Sequence, residues 1–198
     1  MELVIKKGEY LPHWTLEHSI YHICFRLHDS LPQEVIRKWK FERIDIIESA
    51  KQKGRPLSLE ESDRLRFLYS EKIDKFLDIG TGNCYLKNEA VAQMISSALM
   101  YFNEQRYKLY AWCIMPNHVH AIVRFFNNDL DKIIHSWKSY AANQANKILG
   151  RTGSFWHKDY YNHIIRNDKE FVYQIDYVWM NAEKAGFKNW KYRYKISE

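Results

Sequence analysis

The chain has 198 residues, 46% hydrophobic and 16% aromatic, with 30 Lys and Arg against 24 Asp and Glu for a net charge of +6. That length fits one domain with a real core, and the modest positive bias suits polyanionic partners. Three scattered cysteines without C-x-x-C spacing, no apolar run near the ~20 residues of a membrane span and no signal-peptide core exclude a disulfide scaffold, a zinc finger and a membrane protein; we expect a soluble, cytoplasmic chain.

In chain order, Ile20–Leu27 reads as the first strand, with His22, Cys24 and Arg26 on one face and Tyr21, Ile23, Phe25 and Leu27 on the other. Leu31-Pro32 starts a helix to about Lys51. Ser58 with Glu61 has capping-box spacing and opens a charged helix to about Phe76, whose charges read as a solvated face. Asp78-x-Gly80-x-Gly82 looks like the nucleotide loop of class I methyltransferases. Too few βα units follow for that fold, so the stretch reads as a tight glycine turn. Asn88–Arg106 is an amphipathic helix, followed by strands Lys108–Met115 and His118–Phe126 around a Met115-Pro116-Asn117 turn. Asp129–Leu149 is a helix ended by Gly150, and Ser154–Ile165 is extended or irregular. Asn167 and Glu170 cap a last helix to about Ala185. The ordering predicts an α+β fold: a ferredoxin-like antiparallel sheet covered by helices.

Strand alternation puts His118 and His120 on one face just past a turn. This is half of a metal site or a pair of ordinary sheet histidines, and an isolated H-x-H favours the second. At such a turn, truncating the rings should leave little cavity. On the last helix, Phe171, Ile175, Val178 and Ala182 form an apolar stripe, while Tyr177 and Asn181 lie four apart on an adjoining face. A tyrosine beside an amide, both aimed at two imidazoles, suits phosphodiester cleavage; periodicity alone allows Tyr177 equally to be a packing ring. With a phenol pKa near ~10, the nucleophile needs help from a cation or a basic neighbour such as Lys184.

M-P-x-H-x-H, G-R-x-G-x-x-W, I-R-N and D-Y-x-x-x-N-x-x-K-A-G occur in that order. With them the chain, from about Tyr10 to Phe187, resembles the REP-associated tyrosine transposases, relatives of the single-tyrosine insertion-sequence transposases within the HUH nucleases. The resemblance implies one HUH-type domain over residues 1–198, with an inserted helical segment at about 57–76. It implies His118, His120 and Asn181 as ligands of Mg²⁺ or Mn²⁺ and Tyr177 as nucleophile. The implied activity is cleavage and rejoining of single-stranded DNA near hairpins through a 5′-phosphotyrosine, by a monomer or homodimer. Where the family often has Asn-Pro after the nucleophile, this chain has Asn181 followed by Ala182; where it often has Trp-Gln, this chain has Trp156-His157. Lys138, Arg151, Trp156, Lys158, Arg166 and Lys184 are candidate DNA contacts, pairing backbone neutralisation with base stacking. The alternatives are a hairpin DNA- or RNA-binding module of the same fold with little or no cleavage, and a metal-dependent hydrolase in which Tyr177 only packs.

Overall fold

A computed structural model describes residues 4–7, 12–15, 19–58, 60–61, 64–65, 73–127 and 129–196. Its elements are β1 (Val4–Lys7), β2 (Pro12–Thr15), β3 (Ile20–Arg26), α1 (Gln33–Gln52), α2 (Ile73–Asp78), α3 (Glu89–Met100), β4 (Tyr107–Ile114), β5 (His118–Phe125), α4 (Leu130–Ile148), β6 (Tyr161–Ile165), α5 (Asp168–Lys184) and β7 (Arg193–Lys195). β1 and β2 form a separate antiparallel pair. The main sheet runs β6-β3-β5-β4-β7, with every pairing antiparallel. Taking β3, β4, β5 and β6 as first to fourth, the order is 4-1-3-2, the ferredoxin-like arrangement, with β7 added at the edge.

Strand alternation divides the sheet into two chemically distinct faces. Tyr21, Ile23, Phe25 and Leu27 join Val119, Ala121, Val123 and Phe125 in the larger core, together with residues of α3 and α4 such as Ile95, Leu99, Ile133 and Trp137. The opposite face carries a smaller core in which Ala111, Cys113, Met115 and Ile122 meet Val178 and Ala182 of α5. Beside it, Cys24, Leu31 and Leu77 are packed by Trp39 and Phe76, which seats α2 against α1. The sheet's histidines lie on this second side, with His120 opposite Cys24 on β3 and opposite Cys113 on β4.

Caps fall where the residue chemistry puts them. Asn88 Oδ1 accepts the Val91 N–H at 3.2 Å, and Asn167 Oδ1 accepts the Glu170 N–H at 2.9 Å. The capping box forms as well: the Glu61 N–H donates to Ser58 Oγ at 3.1 Å, and the Ser58 N–H donates to the Glu61 carboxylate at 2.8 Å. Residues 59, 62–63 and 66–72 of the helix expected from Ser58 to Phe76 lie outside the described residues, and residues 73–76 fall in α2. The helix expected over Asn88–Arg106 stops at Met100. The reason is local: Glu104 has φ 63°, and Asn103 turns its side-chain oxygen onto the Leu109 N–H at 2.8 Å. The stretch read as extended or irregular contains β6, which pairs with β3.

The glycine turn after α2 docks against the loop that follows β3. Gly82 has φ +90°, and a Cβ there would lie 2.6 Å from the Asp29 carbonyl oxygen, so only glycine fits. Asn83 then donates its backbone N–H (3.0 Å) and its side-chain amide (2.6 Å) to Asp29 Oδ2. Among the described residues, no helix is long and apolar enough to cross a membrane.

Candidate active site

β5 and α5 supply the core of the site. His118 and His120 are fully buried, with ring centroids 4.7 Å apart and planes at 89°. Their complete burial corrects the expectation that truncation here would leave little cavity. Each ring is fixed through Nδ1. His118 Nδ1 lies 2.7 Å from Asn117 Oδ1, and His120 Nδ1 lies 2.9 Å from His22 Nε2. The Nε2 atom of each is buried without a hydrogen-bond partner among the described residues. Burial, reinforced by the neighbouring His22, holds His118 at about 3; burial also keeps His120 and His22 well below the usual histidine value. Neutral imidazoles with one nitrogen anchored and the other free are the state in which histidine binds metal.

The last helix brings Tyr177 over these rings, its centroid 6.0 Å from His120 and 5.9 Å from His22. One turn on, Asn181 is 1% exposed, and both its amide atoms lack hydrogen-bond partners among the described residues. A buried amide with nothing to bond calls for an explanation. The Nε2 atoms of His118 and His120 and the Oδ1 of Asp78 likewise lack hydrogen-bond partners among the described residues, and these are donor types that suit a divalent cation.

The acidic groups come from α2. Asp74 and Asp78 are four apart, so they share a helix face. Asp74 Oδ2 accepts the Tyr177 hydroxyl at 2.8 Å, and Asp78 Oδ1 is 4.0 Å from His118 Nε2. Asp74, Cys24 and His120 present ligand atoms within 4.8 Å of one another. Burial raises Asp74 to about 7 and Asp78 to about 6, the latter despite the attraction of Lys184. Burial and the Asp74 carboxylate together push the Tyr177 phenol upward. Neither aspartate was read from the sequence as a site residue: Asp74 fell in the charged helix expected to end at about Phe76, and Asp78 was read as the start of the glycine turn. His22 was legible only as a residue on the first strand's polar face.

The six candidate DNA contacts fall into two groups. Lys184, exposed, holds its Nζ 4.9 Å from the Tyr177 ring centroid; Lys158 and Arg166 are exposed elsewhere. The other three face inward. Lys138 Nζ donates to the carbonyls of His157 and Lys158 at 2.8 and 2.7 Å, and burial lowers it to about 8. Arg151 donates to Asn146 Oδ1 at 2.9 Å and to the Ser154 carbonyl at 3.1 Å, with its guanidinium over Tyr85. Trp156 is 7% exposed and packs edge-on against Phe25 and Phe155. These three side chains shape the 151–158 loop from within.

A family model described as "Transposase IS200 like" matches residues 83–179, which includes both histidines and Tyr177. A REP-associated tyrosine transposase of Escherichia coli K12 is 27% identical over 96 residues, covering 48% of this chain and 56% of that protein. A Haemophilus influenzae protein assigned to the same group is 27% identical over 99 residues, covering 41% of this chain and 55% of that protein. The chain thus spans about half the length of the curated relatives it matches. A solved structure of a REP-associated tyrosine transposase bound to a REP hairpin shares the fold, with a TM-score of 0.51 at 15% identity over 92% of this chain and 76% of that one.

Proposed function

We propose that this chain, which resembles the REP-associated tyrosine transposases in sequence and fold, is a metal-dependent endonuclease and strand transferase that cuts and rejoins single-stranded DNA beside hairpins. The observation that carries the reading is Tyr177 standing over His120, whose Nε2, like that of His118, is buried and has no hydrogen-bond partner among the described residues. His118, His120 and Asn181 would hold Mg²⁺ or Mn²⁺. Such an ion, when bound, polarises the scissile phosphate and offsets its charge.

Tyr177 supplies the attacking oxygen and becomes the 5′-phosphotyrosine, releasing a free 3′-OH. The sheet fixes the imidazoles, and α5 carries nucleophile and amide together, so one helix orientation serves both. Lys184 beside the Tyr177 ring, with exposed Lys158 and Arg166, offers cationic contacts for the DNA backbone. The test is covalent capture: a hairpin oligonucleotide with a single-stranded flank and Mn²⁺ should give a protein–DNA adduct with the wild type and none with Tyr177→Phe. Adduct formation by the Phe variant would overturn the assignment.

One observation favours a second reading, a hairpin-binding module with little or no cleavage. Burial and the nearby Asp74 carboxylate push the Tyr177 phenol away from ionisation, so the free protein holds no preformed phenolate. That module predicts tight hairpin binding with no adduct from the wild type.

A further inference from the structure

We propose that Asp74 is the proton acceptor for Tyr177, taking the phenol proton as the strand is cut and returning it when the strand is rejoined. The inference rests on the reading of Tyr177 as nucleophile. Its ground is geometric. Asp74 is the hydrogen-bond partner of the Tyr177 hydroxyl among the described residues, at 2.8 Å and across 103 positions of sequence.

Asp78 and the Nε2 atoms of His118 and His120 are near the tyrosine, but the hydroxyl's hydrogen bond goes to Asp74. The ammonium of Lys184 lies over the ring face, 4.9 Å from its centroid. His22 Nε2 and His120 Nδ1 are bonded to each other. The Cys24 thiol is held well above its usual value by burial and stays protonated. A general base must lie within hydrogen-bond reach of the proton it takes, and Asp74 meets that condition before substrate arrives.

The fold holds the carboxylate in place. Buried Leu77 and the partly buried Phe76, edge-on to Trp39, seat α2 against α1. The Gly82 turn then ties the end of α2 to Asp29. Asp74 also lies before the matched segment 83–179, on the part of the chain read as an insertion at about 57–76. That segment thereby acquires a chemical role, bringing an acid–base group to a tyrosine that the sheet itself leaves without one.

Atoms and electrons balance through the step. The Tyr177 Oη–H bond breaks and its proton moves to Asp74 Oδ2. The freed pair forms the Oη–P bond, the P–O3′ bond breaks with its electrons on O3′, and O3′ takes a proton from water. Rejoining reverses each transfer: O3′ attacks phosphorus, and protonated Asp74 returns its proton to the leaving phenolate.

The test uses the full chain, Mn²⁺ and a labelled hairpin oligonucleotide with randomised single-stranded flanks, scoring adduct formation in single turnover. Asp74→Asn can still accept the hydroxyl's hydrogen bond but cannot take the proton. It should bind hairpin and melt like the wild type yet form adduct roughly 100-fold more slowly, the lower range for loss of a general base. Asp74→Glu should recover part of the rate. Replacing Tyr177 by the more acidic 3,5-difluorotyrosine in the Asn variant should restore adduct formation, since an acidic phenol needs little base; a merely structural aspartate would give no such rescue. If Tyr177→Phe is inert while Asp74→Asn stays within about threefold of wild type, the base assignment fails and the nucleophile stands. A slow Asn variant that difluorotyrosine does not rescue overturns it too. If the wild type forms no adduct, or Tyr177→Phe still forms one, the functional reading fails first.

Discussion

Asn181→Leu should make the metal-free protein more stable and less able to bind metal. The amide is 1% exposed and flanked on α5 by buried Val178 and Ala182, with neither of its polar atoms hydrogen-bonded among the described residues. Burying such an amide unpaired costs about 1–3 kcal/mol on protein mutational scales. Leucine has nearly the same shape, removes that cost and adds about 1 kcal/mol of apolar burial, so the expected gain is about 2–4 kcal/mol. At this chain length each kcal/mol moves the melting midpoint by about 2–4 °C, so in EDTA the variant should melt roughly 5–15 °C above wild type. The assay is thermal unfolding by circular dichroism, first in EDTA and then across a Mn²⁺ titration. Ligand binding to the folded state raises the midpoint, and that rise should shrink in the variant. A lower midpoint in EDTA would mean the amide is already satisfied by its surroundings. A higher midpoint with the full Mn²⁺ response would mean the amide is no ligand.

Two further expectations follow from the imidazoles and carboxylates. His22→Phe removes the partner of His120 Nδ1 and should weaken Mn²⁺ binding by about 10–100-fold in calorimetric titration, while His22→Gln, which keeps an acceptor, should lose less. Metal-free stability should rise with pH between about 4 and 6.5, read from urea midpoints at several pH values. His22, His118, His120 and His157 have folded values below 6.5, so there the unfolded chain binds more protons at these four positions. Asp74 and Asp78, raised above 3.8 to about 7 and about 6, act with the opposite sign, but they are two against four. A midpoint that falls across this window would contradict the neutral, buried histidines.

The sheet was legible because its strands alternate cleanly: Ile23, Phe25, Val119 and Ala121 read as one face and form one core. Short spacings, two residues on a strand and four on a helix, made the placement of the His118–His120 and Tyr177–Asn181 pairs legible, and the roles expected of them came from the family resemblance. The carboxylates were not legible. Asp74 meets Tyr177 across 103 positions, and no local pattern separates a charged helix that faces solvent from one that folds onto a site. For Lys138, Arg151 and Trp156 the structure adds intramolecular partners that no local pattern announces. Lys138 bonds the His157 carbonyl, Arg151 bonds Asn146 and lies over Tyr85, and Trp156 packs on Phe25 and Phe155. The β1–β2 pair and β7 were not read, being three or four residues long with too little pattern to register.

The Met115-Pro116-Asn117 turn is more than a change of direction. Asn117 Nδ2 donates to the Thr81 carbonyl at 3.0 Å, and a carbonyl can only accept, so this bond forbids the flipped amide and points Oδ1 at His118 Nδ1. An amide oxygen likewise only accepts, so the hydrogen of His118 must sit on Nδ1 and the lone pair on Nε2. The glycine turn that supplies Thr81 therefore selects an imidazole tautomer 37 positions away. For the metal site proposed above, the choice of which His118 nitrogen is bare is made when the chain folds.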